Sequence, residues 1–225
     1  MAEKSDASED RLLHALTTEH STLQSARIAA QSEASSRVLI FLSTLSNSTV
    51  ALAFVGQASD FGDPFYTFAL IILPAMLVIG FATYMRVVQN LMNEAYLGVA
   101  ISRIRAHYKT LHPDAESLML LPTTTGLTAV RPEAALEKRL PRLQSLFMIS
   151  GMVAFVESLI AGTFVGLLIN HMVDDAGAWA VAVGIVTASG VQAALFFRSR
   201  SYVWNGLAKL GLTAPWKNRR SASGP

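Results

Sequence analysis

The chain contains no cysteine, and only 15% of its 225 residues are charged. Without a thiol there can be no disulfide scaffold, no thiolate metal site, no CxxC redox centre and no cysteine nucleophile. The shortage of charge is as informative, because an average soluble protein carries roughly 25%. With 52% hydrophobic residues beside it, that shortage excludes disorder over most of the length and argues against an ordinary water-soluble domain. A net charge of +2 does not point to nucleic acid. The N-terminus is acidic (Glu3, Asp6, Glu9, Asp10) rather than basic and then apolar, so no cleavable signal peptide is expected.

What is present is a set of long apolar runs. A spanning helix needs ~20 mostly apolar residues to cross a hydrocarbon core about 30 Å thick. Residues 38–56, 65–85, 146–169 and 177–197 meet that demand, and Glu157 is the only charged residue inside them. Short, turn-rich stretches join the first to the second and the third to the fourth. The expected fold is therefore all-α: a polytopic membrane protein with four transmembrane helices arranged as two hairpins. All 18 Lys and Arg lie before the first span, between the second and third, or after the fourth, while the two hairpin tips hold only Asp60, Asp63, Asp174 and Asp175. The positive-inside rule then puts residues 1–37, 86–142 and 198–225 in the cytoplasm. Phe65, Tyr66 and Trp179 are expected as aromatic anchors at the outer interface, with Tyr84 and Trp204 at the inner one.

Neither Gly nor Pro occurs between Ser8 and Val55. One helix, with Ser8 as its N-cap, is expected to run from the cytosol into the first span. Leu16, Leu23 and Ala30 recur at sevenfold spacing, backed by Leu12 and Ala34, and this narrow stripe predicts packing on another helix. The second span is expected to continue inward through Leu97, Ile101, Ile104 and Tyr108, with Gly98 a weak point. Beyond it lie the short apolar run Leu118–Leu121, a helix expected at 133–140, and a basic tail after Ala214 suited to anionic lipid. Pro74 is expected to kink the second span.

Several side chains are out of place in hydrocarbon. Glu157 stands near the middle of the third span, where an acid is a functional-site hypothesis by default. It reads as a cation or proton site, as a gate, or as a hydrogen-bonded acid that ties helices together. The first span carries Ser43, Thr44, Ser46, Asn47, Ser48 and Thr49, which surround the helix at 100° per residue, with Ser43 and Asn47 on one side. Such a helix suits the innermost position of an oligomer. Ser150, Ala154, Ser158, Gly162 and Gly166 form a small-residue ridge on the third span. Ala176, Ala180, Gly184 and Ala188 form one on the fourth, which ends in Gln192. Ridges of this kind let two backbones approach closely, and tight packing is preferred here to a binding cleft.

Chemistry of other kinds is missing. None of the five histidines has a second histidine at helical metal-site spacing, and no P-loop, GxGxxG or GxSxG occurs, so neither metal, cofactor nor catalytic residue is expected. His112-Pro113-Asp114 resembles the tripeptide of J-domain cochaperones and equally reads as a turn. The stretch from Ala26-Arg27-Ile28-Ala29 through Glu33-Ala34-Ser35-Ser36-Arg37 to Val50-Ala51-Leu52-Ala53-Phe54-Val55-Gly56-Gln57 resembles an uncharacterised group of bacterial four-span integral membrane proteins. That resemblance implies a bacterial plasma membrane and no activity. A looser similarity is to Orai-type channels, in the four spans, the Ser-Ser-Arg at 35–37 and the acid in the third span. Gln57 and Ala58 stand where such channels carry a pore-lining acid, so the similarity does not extend to calcium selectivity. The functional expectation is a self-associating membrane protein that forms a pore. The alternative is a membrane-anchored scaffold that binds a cytosolic protein, and an enzyme comes last.

Overall fold

The computed structural model describes residues 2–111, 149–173 and 176–209. Within them the backbone is helical apart from the turns between helices, and no strand occurs among the described residues. Four helices follow in order: α1 (Ala2–Ala58), α2 (Asp63–Leu111), α3 (Ile149–Met172) and α4 (Gly177–Lys209). Each contains a stretch long and apolar enough to cross a membrane. The chain is thus an all-α multi-pass membrane protein. Leu118–Leu121, the helix expected at 133–140, the tripeptide at 112–114, the basic tail, Asp174, Asp175 and the Trp204 side chain lie outside the described residues.

Two of the helices outrun any bilayer. α1 has 57 residues, about 85 Å at 1.5 Å per residue, and α2 has 49 with Pro74 inside it. α1 begins at Ala2, so Ser8 is an interior residue and not the N-cap. Ala2, Glu3 and Lys4 are good helix formers and extend the helix past the expected cap. At its other end α1 closes with Phe61 N–H donating to Gly56 O at 2.9 Å. Asp60 (φ 46°) and Phe61 (φ 56°) both adopt the left-handed conformation. The Phe61 ring lies over Gly56, where a Cβ would come within 2.7 Å of it. This is a Schellman-like stop in which the apolar contact is made onto glycine.

The helices divide into two compact units. One comprises, among the described residues, 34–89, 149–173 and 176–203. Its core holds Phe41 of α1, Ala69, Leu73, Met76, Tyr84 and Val88 of α2, Val153, Ala154 and Ile160 of α3, and Leu195 of α4. Tyr84 is therefore a core residue rather than an interfacial anchor: it is 1% exposed, and its hydroxyl donates to Leu195 O at 2.5 Å. A buried phenol needs an acceptor, and a carbonyl's second lone pair provides it. Trp179, by contrast, is 77% exposed. Between the start of α2 and the end of α3, Tyr66 stacks on His171 with ring centroids 4.9 Å apart. Asn170 Nδ2 donates to the Tyr66 hydroxyl at 2.8 Å.

The other unit comprises, among the described residues, 2–33, 90–111 and 204–209. Here α1 packs on α2 of the same chain. Arg27 Nη2 donates to Glu94 Oε1 at 3.1 Å, and Asn90 Nδ2 to Ala30 O at 3.3 Å. Leu97, Ile101 and Ile104 of α2 are buried at the expected helical spacing. Leu16, Leu23 and Ala30 are half-buried. Leu12, expected to back that stripe, is 50% exposed, so the packed face begins a turn later at Leu16.

His20 continues this face, with its ring 6.2 Å from that of Tyr108. Gln24 Nε2 donates to His20 Nε2 at 2.9 Å, and Nδ1 is buried without a partner. Burial, and secondarily the charge of Arg105, hold the imidazole below its ordinary value of 6.5. The folded unit thus favours neutral His20, and its contribution to stability is present above that ordinary value. Stability is lost as pH falls below 6.5 and through the lowered folded value, because a protonated Nε2 can no longer accept from Gln24. A thermal midpoint measured between pH 7 and pH 5 should fall in the native chain and fall less in His20→Gln. Equal profiles in the two proteins would remove His20 from the account.

Candidate functional site

The polar residues of α1 sort into two groups. Thr44 and Thr49 donate to their own helix, to Ile40 O at 2.8 Å and Leu45 O at 2.9 Å. That back-bonding makes a hydroxyl tolerable in hydrocarbon. Ser48 is half-buried and donates to the Met76 sulfur at 3.6 Å. Ser43, Ser46 and Asn47 are exposed. Among the described residues none provides them a side-chain hydrogen bond.

The reason is the register of α1. Residues 34, 38, 41, 45, 48, 52 and 55 are buried or half-buried, at alternating steps of three and four after the first. Residues 36, 40, 43, 47, 50 and 54 form a second stripe with the same spacing and are all exposed. On this outer stripe Ser43 and Asn47 lie between Ile40, Val50 and Phe54, the last of which is 69% exposed. α1 therefore has one face that packs and one that is offered outward, with an amide in the middle.

Glu157 is on the opposite side of the matter, inside the bundle. It is 4% exposed, and its Oε2 atom is buried with no hydrogen-bond partner. What makes room for it is Gly80 of α2. A Cβ built there would run into the Glu157 carboxyl and come within 2.9 Å of the Phe41 ring. Gly80 escaped the sequence reading, although a solitary glycine mid-span signals a close approach of some neighbouring group. Ser158, 3% exposed, satisfies itself by donating to Phe155 O at 2.7 Å.

The ridges of α3 and α4 meet through backbone. A Cβ at Gly162 would lie 2.5 Å from Gly184 O and 2.8 Å from Ala188 Cβ. One at Gly166 would lie 3.2 Å from Ala180 O. Numbers rise on α3 as they fall on α4, so the contact runs antiparallel. Ala154 and Ala180 are buried and Ser150 is half-buried. An apolar groove of about 460 Å³ follows the same line, between Leu159, Thr163 and Leu167 on α3 and Val181 and Ile185 on α4. Carrying the register one turn past Ala188 brings Gln192 level with Ser158, next to Glu157 along α3. Gln192 Oε1 is also buried without a partner.

The structure does not gather the four polar residues Glu157, Asn47, Ser43 and Gln192 into one site. It separates them into an outward pair on α1 and two interior orphans on α3 and α4. Among the described residues no three His, Cys, Asp or Glu side chains group to hold a metal ion. No family model, curated protein or solved structure matches the chain.

Proposed function

We propose that this protein is a four-span protein of the bacterial plasma membrane that assembles with copies of itself and forms a conducting pore lined by α1. Both termini and the 86–142 segment face the cytoplasm, as the placement of every Lys and Arg supports. The observation that carries the reading is the outward position of Ser43, Ser46 and Asn47 within an otherwise apolar stretch. Lipid offers no hydrogen-bond donor to an amide oxygen, and an unsatisfied polar group in hydrocarbon costs several kcal/mol, on the order of what one helix contact gains. Water in a channel, or the same face of another copy, removes that cost.

Reconstitution into liposomes tests this reading. Flux of a small ion should be present with the native chain, and Asn47→Leu should reduce it at least tenfold while the particle mass in detergent stays that of the oligomer. A monomeric native chain with no flux in any lipid refutes it. The second reading, a scaffold with a cytosolic partner, has one observation in its favour. A groove of about 350 Å³ lies between Glu19 and Leu23 of α1 and Tyr96, Val99 and Arg103 of α2. It predicts capture of a soluble protein that Tyr96→Ala abolishes and Asn47→Leu leaves intact. No catalytic set, cofactor or nucleic-acid contact enters either reading.

A further inference from the structure

Glu157 takes no part in the face that α1 turns outward, and its surroundings make a separate demand. The carboxyl is 4% exposed, it lies against the glycine of α2 and the Phe41 ring of α1, and Oε2 has no donor. An ionised carboxylate so placed has given up water and gained nothing in return. Relief by a basic partner is not available inside the spans. Residues 38–56 of α1 and 177–197 of α4 contain no titratable side chain. Within 65–85 α2 contributes Tyr66 and Tyr84, whose hydroxyls are engaged with Asn170 and Leu195 O. On α3 itself the next titratable group is His171, at the far end of the helix. Arg37 and Arg86, just past the apolar stretches of α1 and α2, are exposed.

A metal cation needs more oxygen atoms than this place provides. Calcium takes six to eight oxygen ligands, and magnesium is held with near-octahedral geometry. Here one carboxyl stands alone, with no three-residue ligand group among the described residues. The proton is the one cation that a single carboxyl binds completely. A second observation leads to the same conclusion. Gln192 Oε1, level with this part of α3 by register, is another buried acceptor that lacks a donor. Among the described residues the interior thus holds two buried acceptors without a donor, and a proton on Glu157 removes the charge from the first of them.

We propose that Glu157 is an intramembrane proton-binding site, held as the neutral carboxylic acid at neutral pH by the close packing of α1, α2 and α3 around it. The binding step is a carboxylate oxygen taking a proton from water and returning it there, with no redox partner. Releasing the proton leaves a charge that the Gly80 socket cannot keep, so proton exchange requires the socket to open or water to enter. The site links proton binding to helix packing whether or not α1 lines a pore.

Infrared difference spectroscopy of the full chain in lipid nanodiscs tests this directly. The native spectrum minus that of Glu157→Gln should contain the carbonyl band of a protonated carboxylic acid at neutral pH, shifted in heavy water and unchanged by excess sodium, potassium or calcium. Carboxylate bands in its place overturn the proposal, and so does loss of the acid band on adding any of those salts. If Glu157→Gln does not fold, native protein with carbon-13 at its glutamate carboxyls replaces it. Gly80→Ala should then shift the acid band, because the added methyl runs into the Glu157 carboxyl. An acid band that is absent, or that Gly80→Ala leaves in place, counts against the site. Flux measured on the same preparations keeps the two readings apart, since the acid band can persist in a chain that conducts nothing.

Discussion

Gly162→Ala should destabilise the protein by about 1–3 kcal/mol, the usual range for forcing an added methyl into a packed interior. The added Cβ would lie 2.5 Å from Gly184 O and 2.8 Å from Ala188 Cβ. Neither is the free end of a flexible side chain, so the two helix backbones themselves must separate. Separation also opens the contact at Gly166, whose Cβ would be 3.9 Å from Gly184 Cα. The control is Gly98→Ala, where nothing lies within 4 Å of the new Cβ. Removing a glycine from an unhindered helix interior should stabilise α2 by roughly 0.8–1 kcal/mol. Denaturation by SDS from mixed micelles, monitored by helicity, compares them, and opposite signs are expected. Equal shifts for Gly162→Ala and Gly98→Ala would mean that α3 and α4 do not touch through backbone.

The second large effect is expected at Gly80. Its Cβ would displace the Glu157 carboxyl and press on Phe41, which is fully buried. Gly80→Ala should cost about 1–3 kcal/mol in the native background. In a Glu157→Ala background one of the two obstacles is gone, and the same substitution should cost less by about 0.5–3 kcal/mol, the coupling typical of residues in contact. A double-mutant cycle on the same denaturation assay measures this. Additivity within about 0.5 kcal/mol would place the two residues apart.

The sequence alone made the four spans legible, because about 20 apolar residues in a row have few other uses. The continuation of α2 through Leu97, Ile101 and Ile104 was legible too, since helical periodicity survives the change from apolar to amphipathic surroundings. Tyr84 was not. A tyrosine near the end of a span has the same local signature whether it faces headgroups or a carbonyl across the bundle, and only the Leu195 contact distinguishes them. Leu12 failed for a related reason: its spacing fits the stripe, but spacing does not say where the contact ends. Glu157 announced itself by depth. Its socket did not, because Gly80 is distant in sequence and the carboxyl reaches it by tertiary packing rather than by periodicity. For Ser43 and Asn47 composition gave the polarity, but an outward face needs the register of Phe41 and Leu45 against the core.

The unbroken course of α1 limits how this protein can move. With no glycine or proline from residue 8 to residue 55, the helix has no place to bend cheaply. From 34 to 55 its packed positions advance by alternating steps of four and three. Over its apolar stretch α1 therefore has to shift or turn as a rigid rod against α2 and α3 rather than flex.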